Sequence, residues 1–317
     1  MNYRSISDMN DTILAGLHRL PKDIDLVVGV PRSGIIAATL IALLHNAKLT
    51  DLDSYVSGRI FSSGQTKVAG IRQAKGPRRK VLIVDDSING GTAMDIARQR
   101  VADSGIDDDV VFSAIYGSKA VHPQADIVFE TVPWPRMFQW NFMHHKFLVD
   151  CCIDIDGVLC HDPSREENDD GPAYVGFLQN AHPLYAFSVP LGHLVTSRLE
   201  KYRPQTESWL DAQGIVYQKL TMLDLPSAAE RRKRGVHGQF KAGIYRDSNA
   251  RLFIESENGQ ARKIARLSGK PVLCLQTHQI INSAGSDHVG RPLLKRAVRR
   301  LLGPAAFENL RTRIRRS

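Results

Sequence analysis

Short apolar runs alternate with stretches of helical spacing along most of the chain, and Gly, Pro and Asp mark the boundaries between them. Residues 25–30 form an apolar run that ends at Pro31-Arg32-Ser33-Gly34 and passes into an apolar stretch of helical length at 35–44. That order predicts a strand, a tight turn and a helix. Residues 80–84 predict a buried strand, followed by a Gly-containing turn and a helix over about 92–103, with further strands at 110–116 and 127–132. Between the first two strand–helix units, residues 57–79 are rich in Gly, Ser, Gln, Lys and Arg without apolar period, which predicts a mobile loop. Alternating strands and helices predict a parallel sheet with ligands at the carboxyl ends of its strands.

The pattern breaks between Trp134 and Lys146 into an aromatic and histidine-bearing stretch, and a domain junction is expected just after it. The stretch is read as packing the junction, with sugar stacking or a dimer face as the alternative. A second sheet is expected from Phe147, with strands at 193–196, 216–222, 252–254 and 272–275, and helices at 206–213 and 260–268. The fold class is therefore α/β, with two Rossmann-like parallel-sheet domains at 1–146 and 147–285 and a basic amphipathic tail at 286–317. A length of 317 residues suits two cores rather than one.

Composition changes this picture little. At 43% hydrophobic and 24% charged the chain reads as folded rather than disordered. The longest apolar run, 35–44, is too short to span a bilayer, and the start lacks an apolar signal segment, so a cytoplasmic protein is expected. The four cysteines (Cys151, Cys152, Cys160, Cys274) lack metal-ligand spacing and read as reduced core residues.

Charge changes it more. Nine Arg or Lys and one acid, Glu308, lie between Arg291 and Ser317, so nearly all of the net +9 sits in the tail. Leu293, Leu294, Ala297, Val298, Leu301 and Leu302 recur at helical spacing, with Lys295, Arg296, Arg299 and Arg300 between them. Such a segment suits peripheral contact with an anionic membrane face or packing on the protein body by its apolar stripe. No nucleic-acid motif accompanies the charge, and nucleic acid is not expected as a partner.

The first candidate site is Asp85-Asp86-Ser87-Ile88-Asn89-Gly90-Gly91-Thr92. Two carboxylates at a strand end accept hydrogen bonds from vicinal ribose hydroxyls, directly or through Mg²⁺. Backbone N–H groups at the following helix start seat a phosphate, with the Thr92 hydroxyl as an added donor. These residues resemble the signature of the type I phosphoribosyltransferases, the orotate branch nearest, over roughly residues 20–135. The resemblance implies phosphoribosyl diphosphate as donor and a pyrophosphate-binding turn at Arg32, Ser33 and Gly34. It also implies a catalytic loop over 57–79, with Arg72 and Lys75 as pyrophosphate contacts. Asn89 stands where purine-specific members carry a carboxylate, and an amide is no general base, which disfavours a purine acceptor.

The second candidate site opens on Asp154-Ile155-Asp156 after an apolar strand. The first Asp of such a pair can attack phosphorus, and the second, facing the same way, can protonate the leaving oxygen and then activate water. Thr196 supplies a hydroxyl at a later strand end, Lys241 a cation on an expected helix with Lys233 as the weaker rival, and Glu255 and Glu257 carboxylates suited to Mg²⁺. The four segments resemble the haloacid-dehalogenase superfamily of phosphatases over about residues 147–278. The resemblance implies Asp154 as nucleophile, Asp156 as acid and base, and a metal at Asp154, Asp156 and the Glu255–Glu257 pair, which of the two glutamates binds it being open. Only a small flap fits between 161 and 180, and in that superfamily small caps accompany large or polymeric substrates.

A transferase that installs 5-phosphoribose and a phosphatase that removes the 5-phosphate imply transfer of plain ribofuranose. The arrangement resembles the bifunctional proteins of bacterial surface-polysaccharide synthesis, which implies a glycan acceptor, lipid-linked, and Mg²⁺ in both sites. The alternative is a nucleobase phosphoribosyltransferase coupled to nucleotide 5-phosphatase activity. A homodimer is left open.

Overall fold

The structure, a computed structural model, describes residues 1–62 and 77–283. The loop contacts expected at Arg72 and Lys75, and the basic tail, lie outside the described residues. The chain divides into two compact units, one of residues 2–136 and one starting at Met137.

In the first unit β1 (Asn2–Arg4) leads into α1 (Ile6–Gly16), whose start is fixed by a capping box between Ser5 and Asp8. The sheet follows: β2 (Leu26–Gly29), α2 (Gly34–His45), β3 (Lys48–Asp51), α3 (Leu52–Val56), β4 (Lys80–Ile88), α4 (Thr92–Asp103), β5 (Asp109–Gly117) and β6 (Ile127–Thr131). Its five strands are all parallel and run in the order β3-β2-β4-β5-β6. The strands read as near-continuous apolar runs because both faces are covered: Leu26, Val28, Val81 and Ile83 pack on one side with Met94, Ala97 and Val101 of α4. From β2 the chain moves outward to β3 and then returns to the other side of β2 as β4. The notch between β2 and β4 is thus the switch point at which α/β sheets bind ligands.

The second unit contains β7 (Arg136–Phe138, from Met137 on), β8 (Cys151–Ile153), α5 (Pro172–Asn180), β9 (Leu191–Leu199), α6 (Arg203–Ala212) and β10 (Tyr217–Leu223). It continues with α7 (Ala228–Arg234), α8 (His237–Asp247), β11 (Leu252–Glu255), α9 (Asn258–Ser268), β12 (Val272–Cys274) and β13 (Gln279–Ile281). The sheet order is β10-β9-β8-β11-β12-β13, parallel except for the last strand. Its switch point lies between β8 and β11. The fold class is α/β with two Rossmann-like parallel sheets, as the sequence pattern predicts.

Two local readings change. The sheet begins at Cys151, not Phe147: residues Lys146–Asp150 form a 3₁₀ turn whose Leu148 is buried. The segment expected as a small flap holds α5, with Tyr174, Phe177 and Leu178 buried. All four cysteines are free and buried. No described helix is long and apolar enough to cross a membrane.

Candidate functional site

Each switch point carries a pair of carboxylates. In the first unit β4 continues past its last β2 partner, Val84, and from Asp85 to Ile88 pairs only with β5. The notch left over the end of β2 is where Asp85 and Asp86 sit, both largely buried. The Ser33 hydroxyl donates to Asp86 Oδ1 at 2.6 Å, and the Asp86 N–H donates to Asp85 Oδ1 at 2.8 Å. Sequence-distant parts, the Arg32–Ser33–Gly34 turn and the Asp pair, are thereby brought together, with Arg32 exposed on the turn.

Gly34 makes that approach possible. A Cβ there would lie 2.7 Å from the Val84 carbonyl oxygen and 3.0 Å from Asp85 Cα. Gly34→Ala is expected to cost about 1–3 kcal/mol through overpacking against backbone that cannot yield, read as a lower urea midpoint. Below the pair, α4 starts at Gly91, which has φ +96° and gives the helix no side-chain cap. Its first N–H groups therefore face outward beside the exposed Thr92 and Gly90, with the Ser87 side of β4 alongside.

Burial, with the Asp86 charge adding, pushes Asp85 up to about 8. A carboxyl raised in the folded state binds its proton more tightly there than when unfolded. The first unit is therefore expected to lose stability as pH rises from about 4 to about 8, and Asp85→Asn to flatten that slope. Thermal melts across this range in EDTA measure it. Two adjacent acidic oxygen donors suit a hard divalent cation, which would relieve the same repulsion.

Two residues outside the predicted set complete this site. Trp134 Nε1 donates to Asn89 Oδ1 at 2.8 Å, so the amide at position 89 serves as an acceptor for an indole. Arg136 is buried, donates to the Ile88 carbonyl at 3.0 Å and stands 5.8 Å from the Trp134 ring, where the Asp86 charge acts on it. Its charge lay within an aromatic run, and only folding reveals that it backs the motif.

In the second unit Asp154 follows the end of β8, and its N–H donates to the Ile254 carbonyl of β11 at 3.1 Å. Lys241 of α8 sits between the two strand ends and donates to Asp154 Oδ2 at 2.6 Å, Glu255 Oε2 at 2.8 Å and Gln260 Oε1 at 3.2 Å. All three groups of the ion pairing are buried. Burial alone would pull the Lys241 ammonium down, but Asp154 and Glu255 more than reverse it. Burial pushes Asp154 above the usual carboxylate range, opposed by Lys241. Lys233, the weaker rival, is exposed on α7.

Three of the expected site residues have protein partners of their own. The first is Asp156. It is gripped by the fully buried Arg198, whose Nη2 lies 2.6 Å from Oδ1 and whose Nε lies 3.1 and 3.2 Å from the two oxygens. Such a fork fixes the orientation of the carboxylate. Glu257 is turned to the start of α9, accepting from Gly259 N–H at 2.6 Å and Gln260 N–H at 2.7 Å. That leaves Asp154 and Glu255, both on Lys241. Among the described residues no group of three or more His, Cys, Asp or Glu is gathered as for a metal ion.

The third is the hydroxyl residue. Thr196 is fully buried, and its Oγ1 accepts the Arg198 N–H at 3.2 Å. Its neighbour Ser197 lines the cavity instead, because successive strand residues face opposite ways. The cavity holds about 340 Å³ and is lined by Asp154, Asp156, Ser197, Arg231, Lys241 and Gln260, among others. Gly157, φ +73°, turns the chain over its rim, and Asp162 is raised by burial and then by the Asp156 and Glu255 charges.

No protein-family model matches the chain, and no curated protein does. Among solved structures, a purine phosphoribosyltransferase from Pyrococcus horikoshii Ot3 is 22% identical over 44% of this chain and 92% of its own, at a TM-score of 0.30. A Helicobacter pylori xanthine-guanine-hypoxanthine phosphoribosyltransferase is 14% identical over 44% of this chain and 91% of its own, at 0.33. Leishmania donovani UMP synthase is 16% identical over 44% of this chain and 28% of its own, at 0.27. Likeness at this level says nothing about activity, which rests on the residues themselves.

Proposed function

We propose that the chain transfers 5-phosphoribosyl from phosphoribosyl diphosphate to an acceptor hydroxyl and then hydrolyses the 5-phosphate, leaving ribofuranose on a glycan, lipid-linked. One observation carries the reading: each parallel sheet bears, at its switch point, the chemistry of one of the two steps.

In the first unit Asp85 and Asp86 meet the ribose hydroxyls, and the uncapped start of α4 receives the 5-phosphate. The Arg32–Ser33–Gly34 turn faces the leaving pyrophosphate. The C1–oxygen bond to pyrophosphate breaks with its electron pair leaving, the acceptor oxygen bonds C1, and the acceptor proton passes to solvent. Mg²⁺ held by Asp85 and Asp86 would supply positive charge to the leaving group.

In the second unit an Asp154 oxygen attacks phosphorus, and the ribose 5-oxygen leaves with its electron pair and takes a proton from Asp156. Water, activated by Asp156, then cleaves the aspartyl-phosphate. The Lys241 contact supports the carboxylate form that attack requires. Arg198 holds the Asp156 carboxylate in place. A Mg²⁺ held by Asp154 and Glu255 would supply positive charge to the phosphoryl group.

A glycan acceptor is supported by Asn89, an amide occupied by Trp134, which leaves no carboxylate to assist a purine. The test is pyrophosphate release from the donor with orotate, uracil, purines and a glycan primer in parallel. Rapid release with a nucleobase would replace this proposal by the nucleotide reading. Unchanged ribose incorporation in Asp85→Asn plus Asp86→Asn would show the transfer site to be elsewhere.

A further inference from the structure

The cavity of the second unit has two unlike sides. One is lined by Asp162, Pro163, Asn168 and Tyr174, which lie before and within α5. That side is tied down. Asp170 accepts from the Ala228 N–H of α7, the Tyr202 hydroxyl and the Lys201 ammonium, each at 2.9 Å. Asp169 accepts from the Gly171 and Tyr174 N–H groups at 2.8 and 3.0 Å and so fixes the start of α5. Arg231 Nη2 donates to Asn168 Oδ1 at 3.4 Å. A substrate meets a preformed wall here, not one it must assemble.

The other side is formed by His237 at the start of α8 and by Glu257 and Gln260 at the start of α9. The same three residues line a second, open hollow of about 300 Å³, together with Gly235, Gly238, Gly259 and Lys263. The two spaces share this border, and it lies close to the reacting carboxylate: Gln260 Oε1 accepts from Lys241, which donates to Asp154. Glycine leaves the hollow its room. A Cβ on Gly238 would lie 2.9 Å from Lys263 Cδ, and one on Gly259 would lie 2.9 Å from Glu257 Oε1. The bonding groups are of both kinds. Lys263 gives one of its three N–H bonds to the Gly235 carbonyl at 3.2 Å, which leaves two. Gln260 Nε2 makes no hydrogen bond among the described residues. Glu257 accepts two backbone N–H groups and keeps lone pairs on both oxygens. Donors set beside an acceptor, with opposite charges on Lys263 and Glu257, suit a neutral ligand rich in hydroxyls. The lining offers no Phe, Tyr or Trp on which a nucleobase would stack.

We infer that this second hollow is the subsite for the sugar that bears the phosphorylated ribose, with Lys263 and Gln260 donating to its hydroxyls and Glu257 accepting from them. The inference rests on the phosphatase reading of the adjoining cavity and names where the rest of that substrate lies. With the α5 side fixed, the ribosyl leaving group extends across the shared border. The second unit then acts on a phosphoribosylated glycan in preference to free ribose 5-phosphate.

The test uses the full chain with Mg²⁺ and three phosphomonoesters: ribose 5-phosphate, a methyl hexoside carrying a 5-phosphoribofuranosyl group, and UMP. The parent is expected to hydrolyse the disaccharide phosphate with a kcat/KM at least about tenfold above that for ribose 5-phosphate, the effect of one or two added hydrogen bonds. Lys263→Met keeps the stem beside Gly238 and removes the donors. It is expected to lower that ratio about tenfold, with an unaltered melting temperature. Lys263→Gln takes its place if Lys263→Met does not fold. Equal kcat/KM for ribose 5-phosphate and the disaccharide phosphate, or an unchanged ratio in a folded variant, overturns the subsite and leaves the phosphatase reading standing. A preference for UMP that Lys263→Met removes overturns the sugar assignment, because the hollow then takes a nucleobase. Hydrolysis of none of the three brings down the phosphatase reading and the subsite with it.

Discussion

Asp154→Asn is expected to lower phosphomonoester hydrolysis by at least about a thousandfold, because an amide oxygen cannot form the aspartyl-phosphate. The fold should survive the change. Asn is isosteric, its side-chain oxygen still accepts from Lys241, and Glu255 keeps the ammonium paired at 2.8 Å. The transfer step uses residues of the other unit, so the variant should release pyrophosphate at the parent rate and accumulate an acceptor that retains its 5-phosphate. Mass spectrometry of the product reads this directly, and the retained adduct would also identify the acceptor. A product lacking the phosphate would refute the nucleophile assignment.

Lys241→Met carries the largest expected effect on stability. Asp154 and Glu255 side chains are 6% and 0% exposed, and Lys241 holds both. Removing the cation strands two buried carboxylates without their paired charge. Breaking a buried pair of this kind costs about 3–5 kcal/mol. The stranded carboxyls would take up protons more readily in the folded state than in the unfolded one, so the loss should shrink as pH falls below neutral. The urea midpoint of the second unit, followed by hydrogen exchange across β8 and β11 at pH 5 and pH 8, measures both parts. Lys241→Met combined with Glu255→Gln should recover part of the loss. A single variant as stable as the parent would mean the triad is solvated.

Much of the fold was legible because parallel strands buried on both faces leave apolar runs, as at Val81-Leu82-Ile83-Val84. The helix at Thr92–Asp103 was legible from the Gly-Gly turn before it. Phe147-Leu148-Val149 misled because periodicity cannot separate a short buried turn from a strand. α1 was overlooked, although Met9, Ile13 and Gly16 fall at helical spacing behind a Ser5–Asp8 capping box.

Legibility of the sites divides in the same way. Asp85, Asp86, Asp154 and Lys241 could be named because strand-end acids and a following cation leave local patterns. Which of Thr196 and Ser197 faces the cavity depends on strand alternation, and a one-residue offset reverses the answer. Arg198, Arg231 and Arg136 could not be assigned from sequence. Their partners are Asp156, 42 residues away, Asn168, 63 residues away, and Ile88, 48 residues away. A pairing made only by folding has no signature in the chain. Glu257 caps the start of α9, a partner that spacing alone does not announce.

β8 comes first in its sheet along the chain yet lies in the middle, flanked by β9 and β11. On a ribosome this strand emerges early and acquires β9 within tens of residues, while β11 has still to be synthesised. Lys241 is 87 residues downstream of the Asp154 it neutralises. Until both arrive, the nascent second unit exposes an unpaired strand edge beside an uncompensated carboxylate, the kind of species that chaperones retain and that aggregates when they do not. Premature termination before Leu252 would leave β8 without its β11 neighbour and Lys241 without Glu255, one of the two carboxylates it pairs. Mutations that slow synthesis between β10 and β11 should lower the yield of folded protein without altering the finished molecule.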